Sequence, residues 1–255
     1  MKILENNIEI IECFPAIYIE SIDSIVIADL HLGYEGIMAE QGIFIPKIQF
    51  KKELDMLSKI IKKKKASKII INGDIKHEFS ETSYHEFIEV SDLLNFLKNN
   101  FKEIILIKGN HDNYIARVSN RYNVKLYEEF KINEFYFLHG HKIPIDFMRN
   151  DVKIIIIAHE HPAIALYDEI GVKEKIDCLL YGNMKDGRKI IVLPAFSYFA
   201  QGSDVNILPK EELLSPILRE YVDIDELNVI AISEEVGCLI FPKIGEIKNI
   251  YKIKS

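Results

Sequence analysis

The chain has 255 residues, 48% of them hydrophobic and 28% charged, with a formal net charge of -7. That is enough apolar material for one large core, and no run approaches the roughly 18 apolar residues of a membrane span. The acidic balance excludes nucleic-acid binding by bulk electrostatics and leaves room only for a local basic groove.

The N-terminus, MKILENNIEI, mixes acids and amides into its apolar residues and lacks the apolar core of a signal peptide. A soluble, cytoplasmic protein without a membrane partner is expected. Three widely spaced cysteines, Cys13, Cys178 and Cys238, form no CxxC pair and read as free thiols of a reducing compartment. Thiolate zinc sites are thereby excluded, so a metal would be held by nitrogen and oxygen. No linker, repeat or low-complexity tract divides the chain, which predicts a single domain over residues 1–255.

Five short runs, apolar almost throughout, read in chain order as strands covered on both faces: SIVIADLH ending at His31, KIIINGDIKH ending at His77, EIILIKGNHD ending at Asp112, EFYFLHGH ending at His141, and KIIIIAHEH ending at His161. Between them, helices are expected over Pro46 to Lys65, with Pro in the first turn, and over Ser83 to Asn99. The lysine run from Lys59 to Lys68 closes the first of these, where cations suit the helix dipole and solvent. Strand ends are where open α/β sheets bind ligands, so five corners distant in sequence are expected to meet on one edge. Of 8 histidines, only His85 lies away from those corners.

The corners supply Asp29, His31, Asp74, Asn110, His139, His159 and His161, a set of carboxylate, amide and imidazole donors suited to Mn, Fe, Zn, Co or Ni. Seven donors exceed what one ion needs beside a water, and suit two ions sharing one carboxylate. In HGH, His139 is the preferred donor because it follows its strand directly, with His141 as the alternative. No GxxxxGK[ST], GxGxxG or GxSxG is present, so a phosphate-cradling loop or a serine nucleophile has no support.

The ordered set Asp29-Leu30-His31, Gly73-Asp74, Gly109-Asn110-His111-Asp112, His139 and His159-Glu160-His161 resembles the five-motif signature of the calcineurin-like metallophosphoesterases, over roughly residues 25–162. ADLHLGYE, AHEHPA and VLPAFSYFAQGSDVN further resemble the Icc-like branch that includes the ligase-associated phosphoesterases, with Ala158 where the broader family usually has Gly. Tyr34 and Glu35 carry this resemblance without an assigned role.

The resemblance implies a four-layer α-β-β-α sandwich, with residues 163–255 completing it. The small residues and turn signals around Pro194 to Asn206 predict a loop over the site. The resemblance also implies two divalent ions, Mn first and Fe, Zn, Ni or Co as alternatives. Asp29, His31 and His161 would bind one ion, Asn110, His139 and His159 the other, and Asp74 both. Two ions about 3.5–4 Å apart acidify a shared water, and the resulting bridging hydroxide attacks phosphorus in line. The family resemblance makes His111 the proton donor to the leaving oxygen. Asp112 is expected to cap the helix in NYIARVSN or to orient His111, while His141 and His77 are candidates for contacts to substrate or to buried carboxylates.

The function these expectations favour is a phosphodiesterase acting on a phosphate-ester substrate. A DNA or RNA nuclease is the alternative, with Lys142, Arg149, Lys185, Arg188 and Lys189 as a local groove. A non-catalytic interaction protein, like the retromer subunit that shares the fold, is disfavoured because His111 and all seven donors are intact. No oligomeric state is implied.

Overall fold

The computed structural model describes residues 1–4, 8–80, 82–149, 151–233 and 237–252, so part of the N-terminal stretch lies outside the described residues. The first half of the chain runs β1 (Lys2–Leu4), β2 (Ile8–Ile10), β3 (Ile17–Ile19), β4 (Ser24–Ile27), α1 (Tyr34–Glu40), α2 (Gln49–Lys63), β5 (Lys68–Asn72), α3 (Tyr84–Asn100), β6 (Glu103–Ile107), α4 (Ala116–Arg121) and β7 (Lys125–Tyr127). These seven strands form one sheet in sequence order, antiparallel from β1 to β4 and parallel from β4 to β7. Parallel pairing requires crossovers long enough to hold a helix, which α2 and α3 supply.

The second half runs β8 (Glu129–Ile132), β9 (Phe135–Leu138), β10 (Ile154–Ile157), β11 (Pro162–Tyr167), β12 (Lys173–Asn183), β13 (Lys189–Val192), β14 (Ser203–Asp204), α5 (Pro216–Tyr221), β15 (Asn228–Ser233), β16 (Gly237–Phe241) and α6 (Ile244–Lys252). Its strands make the second sheet, in which β9, β10 and β13 are parallel neighbours. The long β12 pairs with β11 through its first half and with β13 and β15 through its second.

Period-two alternation along the buried strands explains the layers. Ile25, Ile27, Ile69, Ile71 and Leu106 face α2 and α3, packing on Leu57, Ile60, Leu94 and Leu97. The alternate residues Val26, Ile70, Ile105 and Ile107 face Phe135, Phe137, Ile154 and Ile156 between the sheets. On the far side Ile155, Ile157, Ile190 and Val192 meet Ile217 and Leu218 of α5 and Ile244 and Ile247 of α6. Three apolar interfaces thus separate four layers, the expected α-β-β-α sandwich. Each fully buried Ile contributes roughly 1.5–3 kcal/mol of transfer free energy.

Local signals account for the helix ends. Ser83 and Glu86 form a reciprocal capping box at the start of α3. The other crossover helix begins at Gln49, later than the expected Pro46, because its acceptor comes from elsewhere: Glu35 of α1 accepts from the backbone N–H of Ile48 and of Gln49, both at 2.7 Å. That gives Glu35, buried at 2% exposure, a structural role as the carboxylate cap of α2. At the other end of α2 the lysine run is spent on solvent and surface pairs, Lys63 with Glu12 and Lys64 with Glu9.

The cysteine reading needs correction. Cys13 and Cys238 are joined in a disulfide across 225 residues, with Cα atoms 5.0 Å apart, while Cys178 alone is free and buried. The bond ties the turn between β2 and β3 to β16 of the other sheet, a proximity that spacing in the sequence does not reveal. With two of its three cysteines oxidised to a disulfide, the chain carries no thiol signature of a reducing compartment. Among the described residues, no helix is long and apolar enough to cross a membrane.

Candidate metal centre

All five corners lie at the carboxyl ends of parallel strands: Asp29 and His31 after β4, Asp74 after β5, Asn110 and His111 after β6, His139 after β9, and His159 and His161 after β10. The corners are laced to each other by backbone. The N–H groups of Asp29 and His31 donate to the carbonyls of Gly73 and Asp74, and that of Ala158 donates to His139. Asp29 Oδ2 accepts from the N–H of His159 at 3.2 Å, a bond from one sheet to the other.

Five of the seven donors, Asp29, His31, Asp74, His159 and His161, have φ between 44° and 68°. Asp and His visit this left-handed region more readily than β-branched residues, and such strain concentrates at functional sites. The two motif glycines have steric causes. Gly73 has φ of 95° and any Cβ there would meet the ring of His139, while a Cβ on Gly109 would meet the carboxylate of Asp74.

Asp74 occupies the middle. Its Oδ1 accepts from the N–H of His111 at 2.9 Å, leaving Oδ2 to face Nε2 of His139 at 3.1 Å, of His111 at 3.8 Å and of His31 at 3.9 Å. One group of donors is Asp29, His31 and His161, in which His161 Nε2 lies 3.4 Å from Asp29 Oδ2 and 3.3 Å from His31 Nε2. A second is Asp74, His139 and His159, with Asn110 Oδ1 3.1 Å from His139 Nε2. A third group is His31, His77 and His111. His139 is buried at 1% exposure, whereas the ring of His141 stands 5.4 Å away and belongs to none of the three.

Whether these residues fit a pair of cations can be read from their chemistry. Asp29 and Asp74 are buried at 0% and 1% exposure, and their side-chain ion-pair partners are imidazoles. Asp29 Oδ1 and His31 Nδ1 are buried without a hydrogen bond. Burial of carboxylates requires positive charge nearby, and the donors offer the oxygen and imidazole mixture that first-row divalent ions accept. The set fits.

Without an ion, burial opposes charging His139, yet Asp74 and Asp29 overcome it and push its pKa up to about 9, while Asp74 is held well below the usual carboxylate range despite its burial. Burial and the neighbouring charge of His139 push His159 down to about 3 and His141 down to about 4. Cation binding to His139 requires loss of the proton those carboxylates attract.

The remaining candidates divide. The Nδ1 of His111 donates to the carbonyl of His77, since a carbonyl can only accept, and this turns Nε2 toward Asp74. Asp112 caps no helix, because α4 starts at Ala116 after Ile115. Instead its carboxylate accepts from the N–H of Gly109 at 2.8 Å and of Ile75 at 2.9 Å, stapling two corners together. Burial, then the charge of Asp74, pushes its pKa up to about 6. His77 stands beside His31, with ring centroids 5.5 Å apart.

The expected basic groove does not form. Lys142 pairs with Glu128, Arg149 with Asp151 and Arg188 with Asp186. Lys189 is level with Ile154 at the start of β10, so it and the turn holding Lys185 lie at the edge opposite the centre.

Two residues that position the centre escaped sequence reasoning. Asn72 Nδ2 donates to the carbonyls of Leu138 and Ile156 across the sheets, and its own carbonyl accepts from His139 Nδ1 at 3.0 Å. Gln49 Nε2 lies within hydrogen-bonding distance of the carbonyls of Leu30 and His31, of Glu53 and of Ser197. An amide closing a buried isoleucine run was the available signal for Asn72. Gln49 offered none. The segment after β13 reaches the same edge, where the N–H groups of Phe196 and Ser197 donate to Ala28 and Asp29.

The protein resembles Pseudomonas putida nuclease MPE, with a TM-score of 0.60 at 18% identity over 90% of this chain and 93% of that one. Weaker overlaps occur with a Vps29 double mutant from Entamoeba histolytica, at a TM-score of 0.35 and 12% identity over 86% and 99% of the two chains, and with a predicted phosphoesterase from Streptococcus pneumoniae, at 0.32 and 15% over 86% and 97%. The first likeness shows a common fold; the other two are too loose to carry weight. No curated protein matches the chain. The sequence profile of the calcineurin-like phosphoesterases matches residues 24–182, which span every donor described above, and the chain belongs to that family of metal-dependent phosphoesterases.

Proposed function

We propose that the protein is a phosphodiesterase working through two divalent ions, with Mn as the native metal. Asp29, His31 and His161 would hold one ion, Asn110, His139 and His159 the other, and Asp74 would touch both. When bound, such a pair supplies the charge that acidifies water and neutralises phosphoryl oxygens. The chain supplies the rest. Asp29 and Asp74 fix the cations, Asn72 and Gln49 hold the corners that carry the donors, and His111 gives a proton from Nε2 to the leaving oxygen while the His77 carbonyl keeps its ring oriented.

The observation that carries the choice of diester over monoester is that two clefts border the centre, one lined in part by His31, His111 and His161, the other in part by His139 and His141. A monoester has one organic arm and a diester has two. The nuclease reading draws on the fold shared with a nuclease, but loses the basic groove that would have carried a long polyanion.

Chelator-stripped protein should hydrolyse bis(4-nitrophenyl) phosphate once Mn is restored, and do so in preference to 4-nitrophenyl phosphate. A preference for the monoester would replace this reading with a phosphomonoesterase.

A further inference from the structure

The two clefts differ in chemistry. One, of about 420 Å³, follows the chain after β9 past His141, Lys142, Ile143 and Ile145. The other, of about 300 Å³, is walled by His31, His111 and His161 on the side of the centre and by Tyr34, His77 and Phe199 beyond them. Tyr34 meets His77 edge-on with centroids 4.9 Å apart and lies 5.5 Å from Phe199. Phe79, 55% exposed, covers His111 at a centroid distance of 3.6 Å. Among the described residues lining this cleft there is no lysine, arginine or carboxylate.

We propose that the aromatic cleft is the leaving-group subsite, where Tyr34 and Phe199 stack the planar ring of the alcohol whose oxygen departs from phosphorus. The assignment rests on the phosphodiesterase reading and adds to it the direction in which the diester lies. His111 lines this cleft and turns Nε2 toward Asp74, so the oxygen it can protonate is one brought to this side. In the step, a bond forms from water oxygen to phosphorus and the bond from phosphorus to the alcohol oxygen breaks. The proton of His111 goes to that oxygen, the proton of water goes to solvent, and solvent reprotonates His111.

A ring-walled cleft at the small end of ligand sites, with no lysine or arginine among its described lining residues, suits one planar ring. The substrate class is therefore a diester whose leaving alcohol is a single nucleoside or another aryl-bearing alcohol. Its retained arm lies along Lys142 to Ile145.

The test compares bis(4-nitrophenyl) phosphate with ethyl 4-nitrophenyl phosphate, because both expel nitrophenol while only the first retains a ring. Tyr34→Leu and Phe199→Leu should lower kcat/KM for both diesters by the same factor, on the order of ten, with the loss in KM. Phe199→Tyr should recover it, and far-UV circular dichroism should match the unsubstituted protein. A loss for the bis-aryl diester alone would move the ring to the retained arm and overturn the assignment. No loss for either, or a loss confined to kcat, would overturn it as well. An unsubstituted, Mn-loaded protein that hydrolyses neither diester would bring down the phosphodiesterase reading and this assignment with it.

Discussion

The interior of a strand and the corner that follows it obey different rules in this molecule. Along β10, Ile154 to Ile157 are all buried and repeat one residue type four times. Immediately beyond, His159 and His161 adopt left-handed backbone and each has its own partner, His139 for one and Asp29 for the other. Apolar burial is non-directional, so the strand needs volume and branching but no particular neighbour. The corner needs specific atoms in specific places, and its backbone strain of roughly 1–3 kcal/mol per residue persists only because the surroundings over-determine it. Specificity in this fold is therefore concentrated within a few residues of five strand ends.

Asp74→Asn should break that contrast most severely. It keeps the shape that accepts from His111 but removes the charge facing three imidazoles. Phosphate-ester turnover by the metal-loaded protein should fall on the order of a thousand-fold, with metal content by elemental analysis falling and circular dichroism preserved. Near-normal turnover would mean that the corner is as permissive as the strand.

A paired substitution on β5 and its corner sharpens the comparison at smaller cost. Ile70→Val, in the apolar layer between the sheets, should lower stability by about 1 kcal/mol and leave metal affinity unchanged. Three residues on, Gly73→Ala places a methyl at φ of 95° against His139, and should cost about 2 kcal/mol or more together with a loss of metal affinity. Urea midpoints and a metal titration on both proteins separate the outcomes. Equal effects on the two readouts would erase the distinction between strand and corner.

The same contrast explains what could be read from the sequence. Apolar runs ending in Asp, Asn or His exposed the five strands, and the fold family followed from the order of those endings. Beyond the meeting of those corners, contacts between remote segments stayed hidden, because neither periodicity nor composition encodes them. Glu35 gave no sign that it caps a helix starting 14 residues later, and the Cys13–Cys238 bond spans 225 residues. Asn72 is intermediate: its side chain holds β9 and β10 from β5, and its misplaced polarity was visible while its partners were not. The basic groove failed for the opposite reason. Lysine and arginine can be counted in a sequence, but the acids that neutralise them, and the edge they occupy, are properties of the fold.

That edge gives the smallest expected effect. Lys185 donates to the carbonyl of Glu220, and Lys189 to Asn183, at the turn between β12 and β13. With a strand rise of about 3.3 Å per residue, Lys189, level with Ile154, sits roughly 10 Å below the last residue of β10, and the centre lies beyond that. At physiological ionic strength a Debye length is only about 8 Å, so exposed charges at that distance barely reach the centre. Lys185→Ala and Lys189→Ala should change stability by no more than about 0.5 kcal/mol and leave diester turnover unchanged. If the double variant nevertheless lost cleavage of single-stranded DNA while keeping a small diester, a long polyanion would be reaching across the sheet from one edge to the other. The nuclease reading would then regain the electrostatic surface that the ion pairs around Glu128, Asp151 and Asp186 deny it.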